Sequence, residues 1–274
     1  MTTSTATTAP PARRTAGAAP RIGLVLLGTV CLVALGADLV APGDPFATSN
    51  DVLHPPSLAH PFGSDDFGRD VFTAIVHGTR ISLLMAVAAT TMAMSLGVLV
   101  GATAGYAGGG VDDLLMRLTE VFQVVPRFFL VVTAVALFGS SLVLVTLIVA
   151  LTSWSTTARL VRAQVMSVST FEHVLAARAA GARPLRVIGR HLLPIALPPL
   201  LAHAAFQASG AILAEAGVSF LGLGDPSVMT WGALLHEGHH FLRVAWWLVV
   251  FPGLALTLTV LSLHLVADGA IDAE

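Results

Sequence analysis

Apolar residues run through the chain in six long blocks, with polar and turn-forming residues confined largely to the gaps between them. The blocks cover about residues 22–40, 81–105, 121–139, 142–161, 192–216 and 244–266. Each is close to or above the roughly 20 residues that carry a helix across about 30 Å of hydrocarbon. The pattern predicts an all-α membrane protein with six transmembrane helices. Residues 1–20 are rich in Thr, Ala and Pro, include Arg13 and Arg14, have no apolar periodicity, and read as a disordered tail. Residues 21–41 form a first span. Residues 42–79, broken by Pro42, Pro45, Pro55, Pro56 and Pro61, form a loop, and 80–268 the main membrane domain. Gly105-Tyr-Ala-Gly-Gly-Gly110 and Gly139-Ser-Ser141 are turn signals between spans. A cleaved signal peptide is the competing reading of the first block, since basic residues precede it and Ala34 and Gly36 are small; against it, the apolar run is long for a signal core.

Composition agrees with a lipid-solvated chain. Charged residues are 11% of the total, against about 25% in soluble domains. Hydrophobic residues make up 55% and the mean hydropathy is +0.83, more apolar surface than one compact core hides. A net charge of −2 argues against a nucleic-acid partner. Cys31 is the single cysteine, so no intrachain disulfide forms. All fourteen basic residues are arginine, and their placement sets an orientation. With a cytoplasmic N-terminus, Arg13, Arg14, Arg21, Arg117, Arg159, Arg162, Arg178, Arg183, Arg186 and Arg190 face the cytoplasm. Arg69, Arg80 and Arg243 then face outward and Arg127 sits within a span, so the 42–79 loop is external and both ends are cytoplasmic.

Between the fourth and fifth spans, Val165 to Arg190 is too long and too patterned for a simple turn. Leu175-Ala-Ala-Arg-Ala-Ala predicts a short helix, Gly181 supplies its stop, and arginines flank it. Small side chains let such a helix enter a groove on a partner; a helix resting on the inner leaflet through its arginines is the alternative.

This segment resembles the coupling-helix signature of binding-protein-dependent ABC importer permeases: Glu-Ala-Ala, three residues, Gly, nine residues, Ile-x-Leu-Pro. Ala176, Ala177, Gly181, Leu193 and Pro194 stand at the matching spacing, while Leu175 replaces the family Glu and His191 the Ile. The Arg190-His191-Leu-Leu-Pro194 ending is similar to the dipeptide, oligopeptide and nickel branch. So are His60-Pro-Phe-Gly-Ser-Asp65, Gly68-Arg-Asp-Val71, Gly78-Thr-Arg-Ile-Ser-Leu83, Gly105-Tyr106 with Gly109 and Asp112, Ser219-Phe-Leu-Gly-Leu-Gly224, Trp231-Gly232 and Phe251-Pro-Gly-Leu254, in unbroken order over about 55–272. The resemblance implies a five-helix type I ABC importer core plus one N-terminal span, in the cell (inner or plasma) membrane. It also implies two cytoplasmic ATP-binding subunits, a second homologous permease and an external solute-binding protein, with peptides, nickel or metal chelates as cargo. The coupling glutamate contacts the ATPase in that family; with Leu175 in its place, docking here relies on packing or on Glu172 and Arg178.

Other constellations compete. His236-Glu-Gly-His-His240 contains the His-Glu-x-x-His zinc-protease pattern, with Glu237 as base; alternatively His236, His239 and His240 hold a metal transiently, or the stretch is a solvated external helix. Gly238 weakens the helix a protease needs, and no third ligand is obvious. Glu215, Arg127, His203 and His264 lie in or near spans, where ionisable groups are functional candidates by default; interface positions or pairing within the bundle are the bland alternatives. Ser153, Ser155, Thr156 and Thr157 lack a Gly-x-Ser-x-Gly elbow and read as helix-packing residues. A Walker phosphate loop requires lysine, and the chain has none, so no cofactor is expected here and ATP is expected to bind partner subunits.

Overall fold

The computed structural model describes residues 18–271, which are helical apart from connecting loops and one isolated bridge. The chain runs through α1 (Ala18–Leu35), α2 (Ala37–Val40), α3 (Val71–Ala107), α4 (Gly109–Val124), α5 (Arg127–Phe138), α6 (Leu142–Val168), α7 (Glu172–Ala179), α8 (Pro184–Val187), α9 (Leu193–Val218), α10 (Trp231–His239) and α11 (Trp247–Ile271). Short π-helical segments, Ile188–Leu192 and Ser219–Leu223, flank α9. Five stretches are long and apolar enough to span a membrane. The block expected as one span at 121–139 differs. It divides into α4 and α5, bent by 72° at a short break, and the pair counts as a sixth span only if taken together. Pro126 explains the break: it disfavours helical geometry at Val125, which is extended (φ −87°, ψ 128°). The first seventeen positions of the expected tail lie outside the described residues, and Ala18–Pro20 are already helical.

The tightest seam joins α3 to α6. Gly97, Gly101 and Gly105 recur one helical turn apart on α3 and press directly on Thr157, Ala158, Val161, Arg162 and Val165. A methyl on Gly97 would overlap the Thr157 side chain, one on Gly101 the carbonyl oxygen of Ala158, and one on Gly105 would lie 2.9 Å from the carbonyl oxygen of Arg162. In lipid, where apolar burial gives helices no drive to associate, such small-residue contacts supply the dispersion energy that does. At one end of this seam the Asp112 carboxylate receives two bonds from the Arg162 guanidinium, both 2.5 Å, tying the start of α4 to α6. Nearby, Val161, Val165, Val168, Val174, Val187, Leu192 and Leu200 form a separate apolar cluster.

At the opposite end the 41–70 segment folds into a cap. Its hinge is Asp65, whose carboxylate accepts from the Phe67 and Arg69 amides at 2.9 and 2.8 Å and from Arg69 Nε at 2.5 Å. Arg69 reaches on to Glu237 of α10, and Trp247 Nε1 donates to the Ser64 carbonyl at 3.1 Å. Gly63 (φ +78°) lies against the Trp247 indole, where a side chain would meet both strain and the ring. The helix α3 starts at Val71, inside the segment expected to be loop to residue 79. The reason is its N-cap: Asp70 accepts from the Thr73 amide and hydroxyl, both at 2.8 Å, an arrangement worth about 1 kcal/mol.

His60 braces that N-cap through Nδ1, 2.9 Å from Asp70. This bond holds the imidazole above its ordinary pKa against the opposing effect of burial. A raised folded value means that the contribution is complete below the unfolded pKa and is lost as pH rises through the folded one. Thermal unfolding in detergent is therefore expected to show a fall in stability on raising pH from mildly acid through neutral that His60→Gln abolishes. An identical pH profile in the variant would refute the assignment.

Candidate functional site

The segment carrying the expected coupling residues forms a compact protrusion at the end away from the cap. The helix α7 is anchored by one side chain: Val174 is fully buried in the valine cluster, while Glu172, His173, Leu175 and Ala176 are exposed. Ala177 and Arg178 are half-buried, and the Arg178 guanidinium lies 4.4 Å over the Tyr106 ring at the end of α3. This cation–π contact clamps the short helix to the longest one. Gly181 ends the turn with φ +77°, its amide bonded to the Arg178 carbonyl at 3.0 Å, and has open space beside it. Its glycine is needed for backbone conformation, not for close packing. Leu193 and Pro194 are not on this helix. They open α9 beyond the π segment, with Leu193 half-buried and Pro194 exposed. The protrusion thus presents Phe171, Leu175 and Leu185, 46%, 51% and 86% exposed, beside the exposed carboxylate of Glu172.

The histidine segment at the cap end has a different character. Glu237 lies in an ion pair with Arg69, and its carboxyl is raised by burial while that arginine opposes the shift. His236 Nδ1 is bonded to the Phe220 carbonyl at 2.8 Å and His239 to the His236 carbonyl. His240 lies past the end of α10. Among the described residues no group of three His, Cys, Asp or Glu side chains could hold a metal ion. The would-be base Glu237 is instead engaged as a structural anchor by Arg69.

Within the spans, the ionisable side chains separate into two kinds. His264 Nδ1 pairs with its own helix at Val260 O (2.8 Å), and buried Glu215 accepts from Ser219 Oγ at 2.6 Å. Ser153 and Thr156 hydroxyls bond back to their own helix at Val149 and Ser153 carbonyls, as packing residues do. His203, by contrast, joins a polar network between helices: its Nε2 is 3.1 Å from Thr157 Oγ1, which also accepts from Gln207 Nε2 at 3.2 Å. Arg127 opens α5 and is half-buried.

This bundle matches a solved fold. The inward-facing MetNI methionine ABC transporter superposes with a TM-score of 0.58 at 18% identity, covering 73% of this chain and 97% of that one. At that identity the likeness speaks to fold alone. Residues 97–273 match the family described as binding-protein-dependent transport system inner membrane component. The chain belongs to that family. It is an ABC importer permease subunit and a multi-pass membrane protein. A Brucella suis protein provisionally named a peptide transport system permease is 40% identical over 92% of this chain and 86% of its own length. The dipeptide transport system permease protein DppC of Alkalihalophilus pseudofirmus is 37% identical (92% and 84%). The oligopeptide transport system permease protein OppC of Bacillus subtilis is 32% identical (92% and 83%). The relatives are transport permeases, a non-enzymatic role.

Proposed function

We propose that this permease subunit forms half of a translocation path for dipeptides or oligopeptides, opened and closed by partner ATPases that dock on α7. The observation that carries this reading is the protrusion: a short helix held to the bundle by Val174 and by Arg178 over Tyr106, with Phe171, Leu175 and Leu185 turned outward. Exposed large apolar side chains clustered on a polar rim mark protein interaction sites. In this reading Leu175 supplies apolar contact where the family pattern has a glutamate, and Glu172 and Arg178 frame it. The arginine bias puts α7 in the cytoplasm with both chain ends, and the 41–70 cap outside, where a solute-binding protein delivers cargo. The bent pair α4–α5 counts as one span, giving six. A second, homologous permease completes the path, two ATP-binding subunits bind below, and this chain itself holds no cofactor. Peptide cargo is supported by the names of the relatives.

The test is contact. With Cys31 replaced by Ser and Leu175→Cys introduced, a short bifunctional cross-linker on membranes containing the whole complex is expected to join this subunit to an ATPase, and less so when Cys replaces Leu58 in the cap. Equal cross-linking from both positions, or none from 175, would remove the docking assignment.

A further inference from the structure

The first span is fastened differently at its two ends. Its early residues press on α11, where a methyl on Gly23 would overlap Leu265 and one on Gly269 would overlap Pro20. Its last turn is tied to α3 by one side chain. Arg80 Nε donates to the Ala34 carbonyl at 2.9 Å and Nη2 to the Leu35 carbonyl at 3.4 Å, satisfying oxygens that the end of a helix leaves without partners. The same guanidinium meets the Asp38 carboxylate through Nη2 at 2.9 Å and Nη1 at 3.4 Å. A guanidinium carries five N–H donors, so one on Nη1 is left over. This clamp stands where the first apolar block ends and the cap begins, at the boundary between hydrocarbon and water. Leading away from it is a groove of about 410 Å³, with Cys31, Ala34 and Leu35 on one wall and Leu83, Leu84 and Val87 on the other. Arg80 closes its head. Val87 lies about two helical turns beyond Arg80, or roughly 10 Å further along α3. Arg80 also borders a cleft of about 180 Å³ under Pro45 and Phe46 of the cap, shared with His77 and Ser227.

An occupant of this groove has to be apolar along its body and match two opposite charges at one end. The Asp38 side chain is 72% exposed, so its carboxylate can accept from a second donor besides Arg80. The spare N–H of Arg80 can in turn meet an anionic oxygen. A headgroup that carries a phosphate and a primary ammonium satisfies both with charge-assisted bonds, and the cleft beneath the cap gives it room. We propose that the α1–α3 groove binds one phosphatidylethanolamine molecule of the cap-side leaflet, its phosphate at Arg80, its ammonium at Asp38 and an acyl chain along Cys31, Leu84 and Val87. Other headgroups match less well. The choline cation has no N–H to give Asp38, and a glycerol headgroup has no cation at all, so its negative charge faces the carboxylate. Chain burial is available to any lipid around the bundle; the charge pair at the head of this groove is what discriminates. The bound lipid adds a second tie between α1 and α3 beside Arg80. The inference rests on the membrane assignment alone and is independent of the cargo.

The experiment places the protein, purified with whatever partners accompany it, in phosphatidylcholine nanodiscs. These contain a trace of phosphatidylethanolamine with a photoreactive diazirine in one acyl chain, and adducts are mapped by peptide mass spectrometry. Adducts are expected at Cys31, Leu84 and Val87 well above the level at Leu24 and Leu201, which are exposed too. Replacing part of the phosphatidylcholine by unlabelled phosphatidylethanolamine is expected to displace the probe roughly fivefold better than phosphatidylglycerol does, the upper end of what an exposed charge pair supplies. Asp38→Asn leaves the bonds from Arg80 to the α1 carbonyls in place and makes the site cationic. In that variant the order is expected to reverse, with phosphatidylglycerol the better competitor. Even labelling of groove and control positions, or equal displacement by the two lipids, would overturn the proposal and leave ordinary surrounding lipid. An unchanged order in Asp38→Asn would overturn it as well. So would a groove labelled only after partner subunits are stripped away, which would assign it to a partner's helix.

Discussion

Gly101→Val is expected to prevent the subunit from folding to a stable bundle. The new side chain would be driven into the backbone oxygen of Ala158 and the Val161 side chain, and α6 cannot move away without opening the contacts at Gly97 and Gly105. Overpacking of this kind costs about 1–3 kcal/mol when side chains can yield, and here the obstacle is backbone. Recovery of monodisperse protein in mild detergent, and its unfolding temperature, measure the outcome. Gly210→Val on α9 is the control: its added side chain meets open space, and the variant is expected to stay close to the parent. Equal damage from both would mean that glycine is needed for flexibility and not for the α3–α6 approach.

Leu175→Asp is expected to leave folding intact and abolish function. Leu175 is half-exposed and outside the valine cluster, so its loss removes nothing from the bundle. A carboxylate beside Phe171 and Leu185 would be desolvated without a partner if an ATPase docks there, a penalty of several kcal/mol. Transport and peptide-stimulated ATP hydrolysis are therefore expected to fall together by more than about tenfold, the equivalent of only 1.4 kcal/mol. The neighbouring Val174→Asp separates the two roles of the helix. Val174 is fully buried against Val165 and Val187, so that variant is expected to lose folding as well as transport. A Leu175→Asp subunit that transports normally would show that α7 does not dock through this face.

Much of this architecture is legible in the chain because membrane spans are local: a run of twenty apolar residues announces itself whatever surrounds it. The short helix α7 is equally legible, through Ala176 and Ala177 and the positive-φ stop at Gly181. Two local features were readable yet are missed by a search for apolar runs. The helix α4 carries Asp112, Asp113, Arg117 and Glu120, so its apolar face is interrupted and only 3.6-residue periodicity reveals it. The four-residue spacing of Gly97, Gly101 and Gly105 is a packing signal hidden inside a span. The start of α3 escapes for another reason: Val71–Thr79 is less uniformly apolar than the run beyond it, and the cap at Asp70 outweighs that. What no local reading supplies is pairing across the sequence. Arg69 meets Glu237 168 residues away and Asp112 meets Arg162 50 residues away, and these contacts decide that Glu237 is an anchor.

The central claim is that this chain works as the membrane half of an ATP-driven peptide importer. Affinity purification of the tagged subunit from its own membranes in mild detergent, with mass spectrometry of what accompanies it, tests this most directly. The account predicts ATPases carrying Walker motifs and a second permease in stoichiometric amounts. A subunit recovered alone from a preparation in which it is folded and abundant would contradict it.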